Sequence, residues 1–390
     1  MKASYEGLEL AGRRVLVRED LNVPLRDGTI GDDGRIRAAL PTLRDLAERR
    51  ARVIVVSHLG RPRGRPEPGL SLRPVAARLG ELLGRPVGFA EDCIGEAAAA
   101  AVERLGEGEV LLLENVRFHP GDEANDRAFA RQLASLAEVF VNDAFAAAHR
   151  AHASVVGVAE FLPAYAGRLM LAELEALHRA LDVPRRPLVA VVGGAKVSTK
   201  AGVLHHLLDR VDALLIGGAM ANTFFKARGL EVGASLVEDE ALDVARQVEA
   251  KAGDRLALPL DAVCARRAQA GEETRVWEVG RVEPGWMVLD VGPRTVEAFA
   301  ERLRAAGTVV WNGPVGVFEV PEFSAGTRAL GEVIATSGAY SLLGGGDTAA
   351  AVRLLGLDGR FSHVSTGGGA TLEYLEGKEL PGVAVLREAA

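Results

Sequence analysis

The chain has 390 residues, 48% hydrophobic and 25% charged, which is typical of a globular protein that divides into two domains. Its formal net charge of −7 argues against non-specific binding to nucleic acid or to membrane surfaces. The two cysteines, Cys93 and Cys264, match no disulfide framework and no zinc-binding spacing, and the first ten residues contain no long apolar run. We therefore expect a cytoplasmic protein without a signal peptide or a membrane anchor.

In the first half of the chain, short apolar runs alternate with segments of helical spacing. The predicted buried strands are RRVLVRED, ARVIVVSHL, GEVLLLENV and AEVFVND, and helical segments such as IRAALPTLRDLAERR and DRAFARQLASLAE lie between them. This alternation predicts right-handed βαβ units and a mostly parallel sheet. Because parallel sheets bind ligands at the carboxyl ends of their strands, the residues that follow each strand are the candidates for a site.

Basic and polar side chains follow four successive predicted strands of this half. A single arginine or histidine in such a place is usually a solvated loop charge, and Asp20 and Asn22 could simply form the turn before Pro24. Four such strand ends at one edge of a sheet, in a half whose net charge is close to zero, instead predict a convergent anion site. Arg35 fits this interpretation because it opens a predicted helix, where a cation is unfavourable unless it faces an anion. The candidates that follow the strands are Asp20, Asn22, His58, Arg61, Arg117, His119, His149, Arg150 and His152.

A long helix is predicted near the midpoint of the chain, over residues 168–182 (RLMLAELEALHRALD), and the helix-breaking stretch PRRP follows it. We expect this helix to connect two α/β domains. The predicted first domain is 1–170, and the second is 171–371, which includes most of the connecting helix.

The predicted strands of the second half end in the glycine-rich turns GGAK, GGAM, NGPVG, GGGDT and STGGGA. Glycine pairs are common in such turns, but five of them predict a flat, nucleotide-like ligand against the backbone, and STGGGA is a candidate anion hole at a helix start. The segment VVGGAKVSTK lacks the residue order of a P-loop, so Lys196 and Lys200 belong either to a different phosphate site or to a solvated helix face. Asp347 is either a helix N-cap or a magnesium ligand, and Glu319 is either a ribose acceptor or a loop charge.

Taken in order, the motifs of the chain resemble the phosphoglycerate kinase family from about residue 13 to about residue 385. The motifs are REDLNVP, GRIRAALPT, SHLGRP, LLENVRFH, NDAFAAAHRAHAS, GGAKVSTK, WNGPVGVFE, GGGDTA and HVSTGGGATLEYLEGKELPGV. The resemblance implies two doubly wound, Rossmann-like parallel-sheet domains, joined by the long helix with a hinge cleft between them. It also implies that residues 372–390 pack back on the first domain.

The activity that this resemblance implies is reversible phosphoryl transfer in glycolysis and gluconeogenesis. The reaction converts 1,3-bisphosphoglycerate and ADP into 3-phosphoglycerate and ATP, and the enzyme is a phosphotransferase with a carboxyl group as acceptor. Transfer would be direct and in line, would need Mg²⁺ and would involve domain closure. The expected partners are small-molecule substrates only, and the expected state is a monomer.

The resemblance further assigns roles to individual residues. It places phosphoglycerate on Asp20, Asn22, Arg35, His58, Arg61, Arg117 and Arg150. It places the nucleotide on Lys200, Asn312, Glu319, Gly345, Gly346, Asp347 and Thr348, with Mg²⁺ at Asp347. The group in transfer would meet Arg35, Lys196 and the amides of Gly367, Gly368 and Gly369. No general base is required, because an ADP oxygen attacks the acyl phosphate directly.

The chain departs from the family pattern at Glu19, at Ala146 and Ala147, and at Ala219. Glu19 stands where an apolar residue is usual, and we expect it to face solvent or to perturb the strand end. Ala219 could tighten the adenine pocket.

The sequence disfavours two other functions. A dinucleotide-dependent oxidoreductase is disfavoured because no convincing G-x-G-x-x-G follows the first strand. A non-catalytic nucleotide-binding protein is disfavoured by the presence of Arg35, Lys196 and Asp347.

Overall fold

The computed structural model describes residues 2–26 and 28–389, and the chain forms two compact units. The first unit runs up to Leu174 and is completed by the segment from Glu379 on, whereas the second unit is Glu175–Lys378. The predicted boundary at residue 372 differs from this division, since it falls inside a helix of the second unit. Among the described residues, no helix combines the length and the apolar character needed to cross a membrane.

The first unit is built on a parallel sheet. Its described strands are β1 (Arg14–Arg18), β2 (Leu25–Arg26), β3 (Thr29–Ile30), β4 (Arg52–Val56), β5 (Val87–Ala90), β6 (Val110–Leu113), β7 (Val139–Asn142) and β8 (Ala164–Ala166). Six of them pair in parallel in the order β5-β6-β4-β1-β7-β8, and β2 and β3 form a short antiparallel ribbon. The central strands are almost wholly apolar, and their side chains are buried on both faces, as expected for a parallel sheet.

Amphipathic helices supply the rest of the first core. They are α1 (Gly34–Glu48), α2 (Arg73–Leu83), α3 (Gly95–Glu103), α4 (Pro120–Glu123) and α5 (Arg127–Ala134). In α1, for example, Ile36, Leu43 and Leu46 recur on one face and are fully buried. Helix α6 (Arg168–Leu181) begins in the first unit, and the division between the units falls within it. It ends one residue before the predicted end.

The second unit repeats the parallel architecture and adds a small second sheet. Its described strands are β9 (Leu188–Val192), β10 (Ala213–Ile216), β11 (Leu256–Ala257), β12 (Asp261–Ala265), β13 (Arg275–Glu278), β14 (Met287–Val291), β15 (Thr308–Asn312), β16 (Tyr340–Gly344) and β17 (His363–Val364). The main sheet is parallel in the order β11-β10-β9-β15-β16-β17, and the second sheet is antiparallel in the order β13-β12-β14. The predicted fold class, α/β with two parallel-sheet domains, is confirmed, but the sequence analysis did not foresee the antiparallel sheet.

The remaining helices belong to the second unit, with the exception of α14. They are α7 (Ala201–Leu208), α8 (Met220–Ala227), α9 (Leu242–Ala252), α10 (Pro293–Arg304), α11 (Ala325–Thr336), α12 (Gly346–Leu354), α13 (Gly369–Leu375) and α14 (Pro381–Ala384). Helix α13 packs on α7 in the second unit, and α14 belongs to the first. The amide of Gly382 in α14 donates to the carbonyl oxygen of Ala148 at 2.8 Å, and the Asn142 side chain donates to the Gly382 carbonyl at 3.1 Å.

Candidate active site

The first candidate half-site lies at the carboxyl ends of four adjacent strands. The order β6-β4-β1-β7 brings together the segments that begin at Glu114, Ser57, Glu19 and Asp143. Residues predicted to hold an anion follow each of these four strands, and Arg35 lies in α1. The topology therefore gathers at one edge side chains that are spread over more than a hundred positions of the sequence.

A chain of hydrogen bonds links these segments. Arg35 Nη1 donates to Asp20 Oδ2 at 2.6 Å, and Asp20 Oδ1 accepts from the Asn22 amide at 3.1 Å. Asn22 Oδ1 in turn accepts from the Gly60 amide at 2.9 Å, and the Gly60 carbonyl accepts from Arg117 Nη1 at 2.7 Å. The turn before Pro24 is thus also a connector, and it fixes the loops after β1, β4 and β6 relative to one another.

His58 lies in a strongly positive, desolvated environment. It is almost fully buried, and burial together with the charges of Arg18, Arg117 and Arg150 holds its pKa well below the usual range. Arg18 Nη2 lies 3.0 Å from His58 Nδ1, and because a guanidinium can only donate, Nδ1 is the acceptor. The neutral ring therefore carries its proton on Nε2, which leaves an N–H donor for a ligand.

Arginines dominate the rest of this half-site. Burial and the nearby charge of Arg150 lower the pKa of Arg117 to about 10. Arg150 lies beside His149, with Nε to Nε2 at 3.2 Å, whereas Arg61 and Arg35 are exposed. The positive charges of Arg150 and Arg18 both lower the pKa of Arg117, so these cations repel one another, and a bound anion would relieve that repulsion.

Arg18 is the member of this cluster that the sequence analysis missed. It is the last residue of β1 and is fully buried, with Nε donating to Ser154 Oγ at 3.1 Å. Burial lowers its pKa, and the nearby carboxylate of Asp122 opposes that effect. A charged residue inside the run VLVRED was the available signal, because an arginine in a buried strand requires a polar environment at that point.

Of the two expectations for Glu19, exposure to solvent is wrong. Its side chain does not face solvent, because it is fully buried at the end of β1. Burial raises the pKa of Glu19 well above the usual range, and the neighbouring carboxylate of Asp143 raises it further. Burial also raises the pKa of Asp143, to about 6, although it accepts a hydrogen bond from the Met170 amide at 2.9 Å. Glu19 therefore holds its proton to a higher pH than an ordinary glutamate does, and the negative charge of Asp143 contributes to this.

Two predicted histidines of the first unit lie beside carboxylates. His119 Nε2 is 2.7 Å from Asp92 Oδ1. His152 Nδ1 is 3.8 Å from Asp122 Oδ2, and burial lowers its pKa against the opposing effect of that carboxylate. Ala146 and Ala147 form part of a short 3₁₀ turn over Phe145–Ala147, in which Ala147 is buried.

The second candidate half-site lies at the carboxyl edge of the main sheet of the second unit. There the glycine turns are sterically required. A Cβ on Gly193 would collide with the carbonyl oxygen of Pro314, and Gly313 has a φ of +96° with the Gly193 carbonyl against it. The two turns therefore pack backbone against backbone, which no larger residue allows at these positions.

These turns line a cavity of about 420 Å³ within the second unit. Backbone of Gly194 and Gly218 forms part of its wall, and Ala219 lies among the lining residues. The apolar part of the lining comes from Leu236, Met287, Val288, Leu289, Pro314, Val317 and Phe318. Two carboxylates, Glu319 and Asp347, also line the cavity, so it offers a flat apolar slot with acidic groups beside it.

The polar side chains of Lys200 and Asn312 lie next to these turns. Lys200 Nζ donates to Asn312 Oδ1, and Asn312 Nδ2 donates to the Gly344 carbonyl at 2.8 Å. Burial lowers the pKa of Lys200, while the charges of Asp347 and Glu376 oppose the change. The Gly313 amide donates to Thr348 Oγ1 at 2.7 Å, so Thr348 holds the turn after β15.

Lys196 occupies a different environment from Lys200. It is exposed, and its charge acts on Glu238, a buried carboxylate that the sequence analysis did not single out. Burial raises the pKa of Glu238, but hydrogen bonds from Ser198 outweigh burial, so the net shift is downward. Glu238 Oε1 accepts from Ser198 Oγ at 2.6 Å and Oε2 from the Ser198 amide at 3.0 Å. Glu238 thereby anchors the turn that carries both lysines.

The three predicted glycine amides differ in their hydrogen bonds. The Gly367 amide donates to Ser365 Oγ at 3.1 Å, so it is engaged within its own loop. Gly368 has a φ of +51°, a conformation that favours glycine although a Cβ there would meet open space. Gly369 is exposed and begins α13. In the neighbouring turn, Gly345 has a φ of +94° and precedes Gly346, the first residue of α12.

Comparison with known proteins gives one consistent family. A family model described as phosphoglycerate kinase matches residues 5–378. The phosphoglycerate kinase of Pelotomaculum thermopropionicum is 54% identical over 388 residues, which cover 99% of each chain. That of Rubrobacter xylanophilus is 56% identical over 387 residues, covering 99% of this chain and 98% of the relative. The solved structure of phosphoglycerate kinase from Coxiella burnetii superposes with a TM-score of 0.92 at 46% identity, covering 99% of this chain and 98% of that chain.

Proposed function

Because the chain belongs to the phosphoglycerate kinase family, we propose that it transfers a phosphoryl group directly and in line, with Mg²⁺, and that the two units close on each other during turnover. The chain is a phosphotransferase that acts on small molecules. The observation that carries the proposal is the presence, in one chain, of a desolvated cation cluster and a glycine-walled cavity. Phosphoryl transfer needs both, because its catalysis rests on positioning and on neutralising charge.

Phosphoglycerate is assigned to the first unit. Arg117 and Arg150 are cations whose mutual repulsion an anion would relieve, and neutral His58 offers an N–H donor beside them, so the phosphate that stays on the substrate belongs there, with Arg61 at the exposed side. Asp20 and Asn22, which lie in the hydrogen-bond chain, are assigned to the hydroxyl and carboxyl end. Arg35, held by Asp20, is assigned to the group in transfer.

The nucleotide is assigned to the cavity of the second unit. The base fits the apolar slot, Glu319 is placed to accept from the ribose, and Lys200 is placed to neutralise phosphate. Asn312 and Thr348 hold the backbone around that site. Asp347 is an exposed carboxylate in the cavity lining, and an oxygen ligand of this kind suits Mg²⁺. When bound with the nucleotide, Mg²⁺ neutralises phosphate charge.

In the ATP-forming direction, an ADP oxygen attacks the phosphorus of the acyl phosphate. The new P–O bond forms as the bond to the carboxyl oxygen breaks, and the carboxylate leaves. Charge on the equatorial oxygens is stabilised by Lys196, by Arg35 and by the amides of the loop at Gly368 and Gly369. Water has to be kept out, which is the physical reason for expecting closure.

The oligomeric state, the cellular compartment and the partners of the protein are further parts of this proposal. We propose that the protein works as a monomer in the cytoplasm, without nucleic acid or membrane partners. Two free, buried cysteines and a net charge of −7 agree with that setting. Sedimentation velocity at several concentrations measures the oligomeric state, and a concentration-dependent dimer would contradict it.

The deciding experiment measures ATP formation from 1,3-bisphosphoglycerate and ADP, with and without Mg²⁺. We expect turnover only with Mg²⁺, and Asp347→Asn should raise the Mg²⁺ concentration needed for half-maximal rate by about 10-fold or more. Asp358→Asn is the control, because Asp358 is exposed and is not among the residues that line the cavity. ADP binding without turnover would instead indicate a non-catalytic protein.

Closure is tested separately by small-angle scattering. We expect the radius of gyration to fall only when phosphoglycerate and nucleotide are both present. An unchanged radius with both ligands bound would contradict closure while leaving the reaction itself untouched.

A further inference from the structure

Three side chains of different chemistry that could bind a metal lie close together in the first unit. They are at the carboxyl ends of β5 and β6, at one end of the sheet. They are a carboxylate oxygen of Asp92, the thiol of Cys93 and a ring nitrogen of His119, and their ligand atoms all lie within 4.8 Å of one another. Asp92 and Cys93 follow β5, whereas His119 follows β6. Because β5 and β6 are parallel neighbours, their carboxyl ends bring the two segments together. The linear sequence gives no metal spacing, and only the sheet order reveals the group.

We propose that Asp92, Cys93 and His119 form a binding site for a divalent transition metal of the zinc class, with three protein ligands and an open fourth position. An Asp–His hydrogen bond alone is an ordinary surface pair. The addition of a thiol changes the chemistry, because thiolate and imidazole ligands favour Zn²⁺ and its neighbours over Mg²⁺. This site therefore prefers a different class of metal ion from the all-oxygen magnesium site proposed at Asp347.

The geometry is close to what a tetrahedral ion requires. With metal–ligand bonds of about 2.0–2.3 Å, neighbouring ligand atoms of a tetrahedral zinc site lie about 3.3–3.7 Å apart. His119 Nε2 and Asp92 Oδ1 are 2.7 Å apart, and the remaining separations lie below 4.8 Å, so movements of about an ångström complete the site. Asp92 Oδ1 also accepts from the Cys93 amide at 2.6 Å, which already orders the Asp92–Cys93 turn.

A cavity beside Asp92 and His119 is consistent with an open fourth coordination position. A cavity of about 500 Å³ in the first unit is lined by Asp92, His119 and Glu114, among others. The side chains of His119 and Asp92 are 30% and 42% exposed, while Cys93 is fully buried behind them. Glu114 is already engaged, since its oxygens accept from Ser71 Oγ at 2.6 Å and from the Leu72 amide at 2.8 Å. A metal would enter from the cavity, and solvent would fill its fourth position.

Binding requires only proton movement at the ligands. The Cys93 thiol releases its proton to solvent as the thiolate binds, and His119 binds through the lone pair of an unprotonated ring nitrogen. No ligand is oxidised or reduced. The consequence for the fold is a cross-link between the loops after β5 and β6.

The test uses the full-length protein, stripped with a chelator and titrated with Co²⁺ as a spectroscopic substitute for Zn²⁺. We expect one equivalent of Co²⁺ to give a thiolate-to-cobalt charge-transfer band and the intense visible bands of a tetrahedral centre, both displaced by Zn²⁺. Cys93→Ala should abolish the charge-transfer band, and His119→Gln should weaken Co²⁺ binding by more than about 100-fold, beyond the effect of losing an outer-shell partner.

The chain supplies a matched control in Cys264, its only other cysteine, which is also fully buried. Cys264→Ala should keep the complete spectrum. Loss of the band in Cys264→Ala, its survival in Cys93→Ala, or weak binding without any thiolate band would each overturn the proposal. If Cys93→Ala fails to fold, as judged by circular dichroism, the half-exposed His119→Gln variant still decides the question.

Discussion

The buried pair of Glu19 and Asp143 makes a quantitative prediction for the substitution Glu19→Gln. The amide has nearly the shape of the protonated carboxyl group, but it has no proton to lose. In the folded protein, burial and the carboxylate of Asp143 raise the pKa of Glu19 well above its usual range, so the side chain holds its proton to a higher pH than in the unfolded chain. In the unfolded chain it ionises near its ordinary pKa of 4.5. Ionisation therefore favours the unfolded state of the wild type, and the substitution removes that effect.

The sign and size follow from proton linkage. The folded pKa is raised, so the contribution of Glu19 to stability is fully present below pH 4.5 and is lost as the pH rises toward the folded pKa. The loss is about 1.4 kcal/mol per pH unit over that window. Above pH 4.5 the variant should thus gain on the wild type in the free energy of unfolding as the pH rises, until the pH reaches the folded pKa of Glu19. The titration of Asp143 occurs in both proteins and largely cancels.

The two buried cysteines provide an assay that reports each unit separately. Cys93 lies in the first unit and Cys264 in the second, and both are fully buried, so a thiol reagent labels each one only when its unit opens. Labelling of chelator-treated protein along a urea gradient, at several pH values, gives the unfolding free energy at each cysteine. Variant and wild type are compared at the same pH, which cancels the reactivity of the thiol itself.

The control is Glu48→Gln, at an exposed position near the end of α1 in the same unit. Its unfolding free energy should differ from that of the wild type by a constant amount at every pH. If Glu19→Gln also gives a constant difference at Cys93, then Glu19 is ionised in the folded protein and the reasoning above is wrong.

Three further substitutions test the two half-sites. Gly193→Ala should lower the unfolding free energy of the second unit by more than about 2 kcal/mol, measured by tryptophan fluorescence, because the new Cβ collides with the Pro314 carbonyl. Arg117→Ala should raise the KM for 3-phosphoglycerate by about 10-fold or more and leave the KM for ATP nearly unchanged, since it removes a hydrogen bond to a charged ligand. Lys196→Ala should lower kcat by about 10²–10³-fold, whereas Lys200→Ala should mainly weaken nucleotide affinity.

Each of these predictions has a control in the same unit. Gly346→Ala places a Cβ in open space and should leave stability close to wild type. Arg104→Ala removes an exposed arginine and should leave both KM values unchanged. Lys251→Ala removes an exposed lysine paired with Asp209, and it should leave kcat intact. Equal effects of the two lysine substitutions on kcat and on KM would show that their roles are not divided as proposed.

Much of the fold was predictable because buried parallel strands are nearly pure apolar runs with polar residues at their ends. The four strand ends of the first unit and the glycine turns of the second are local signals, and the structure brings each set together as the topology rule requires. The small antiparallel sheet was missed because β13, with the sequence RVWE, is mostly exposed and lacks an apolar run.

The errors at individual residues have a common physical origin. For Glu19 the sequence left open exposure to solvent or a perturbed strand end. Its buried state depends on Asp143, 124 positions away, whose charge raises the pKa of Glu19. Arg18 and Glu238 were overlooked because their partners, Ser154 and Ser198, are also distant or unremarkable in sequence. Buried polar groups are defined by pairings across the fold, and local patterns do not encode them.

The position of the segment from Glu379 on affects the order in which the two units can be completed during synthesis. It completes the first unit through bonds such as Gly382 N to the Ala148 carbonyl, 2.8 Å, and Ala3 N to the Arg387 carbonyl, 2.8 Å. All of Glu175–Lys378 is translated before that segment emerges, which takes about 10–40 s at ordinary elongation rates. The first unit, although begun earlier, therefore cannot be completed until the whole of the second unit has been synthesised.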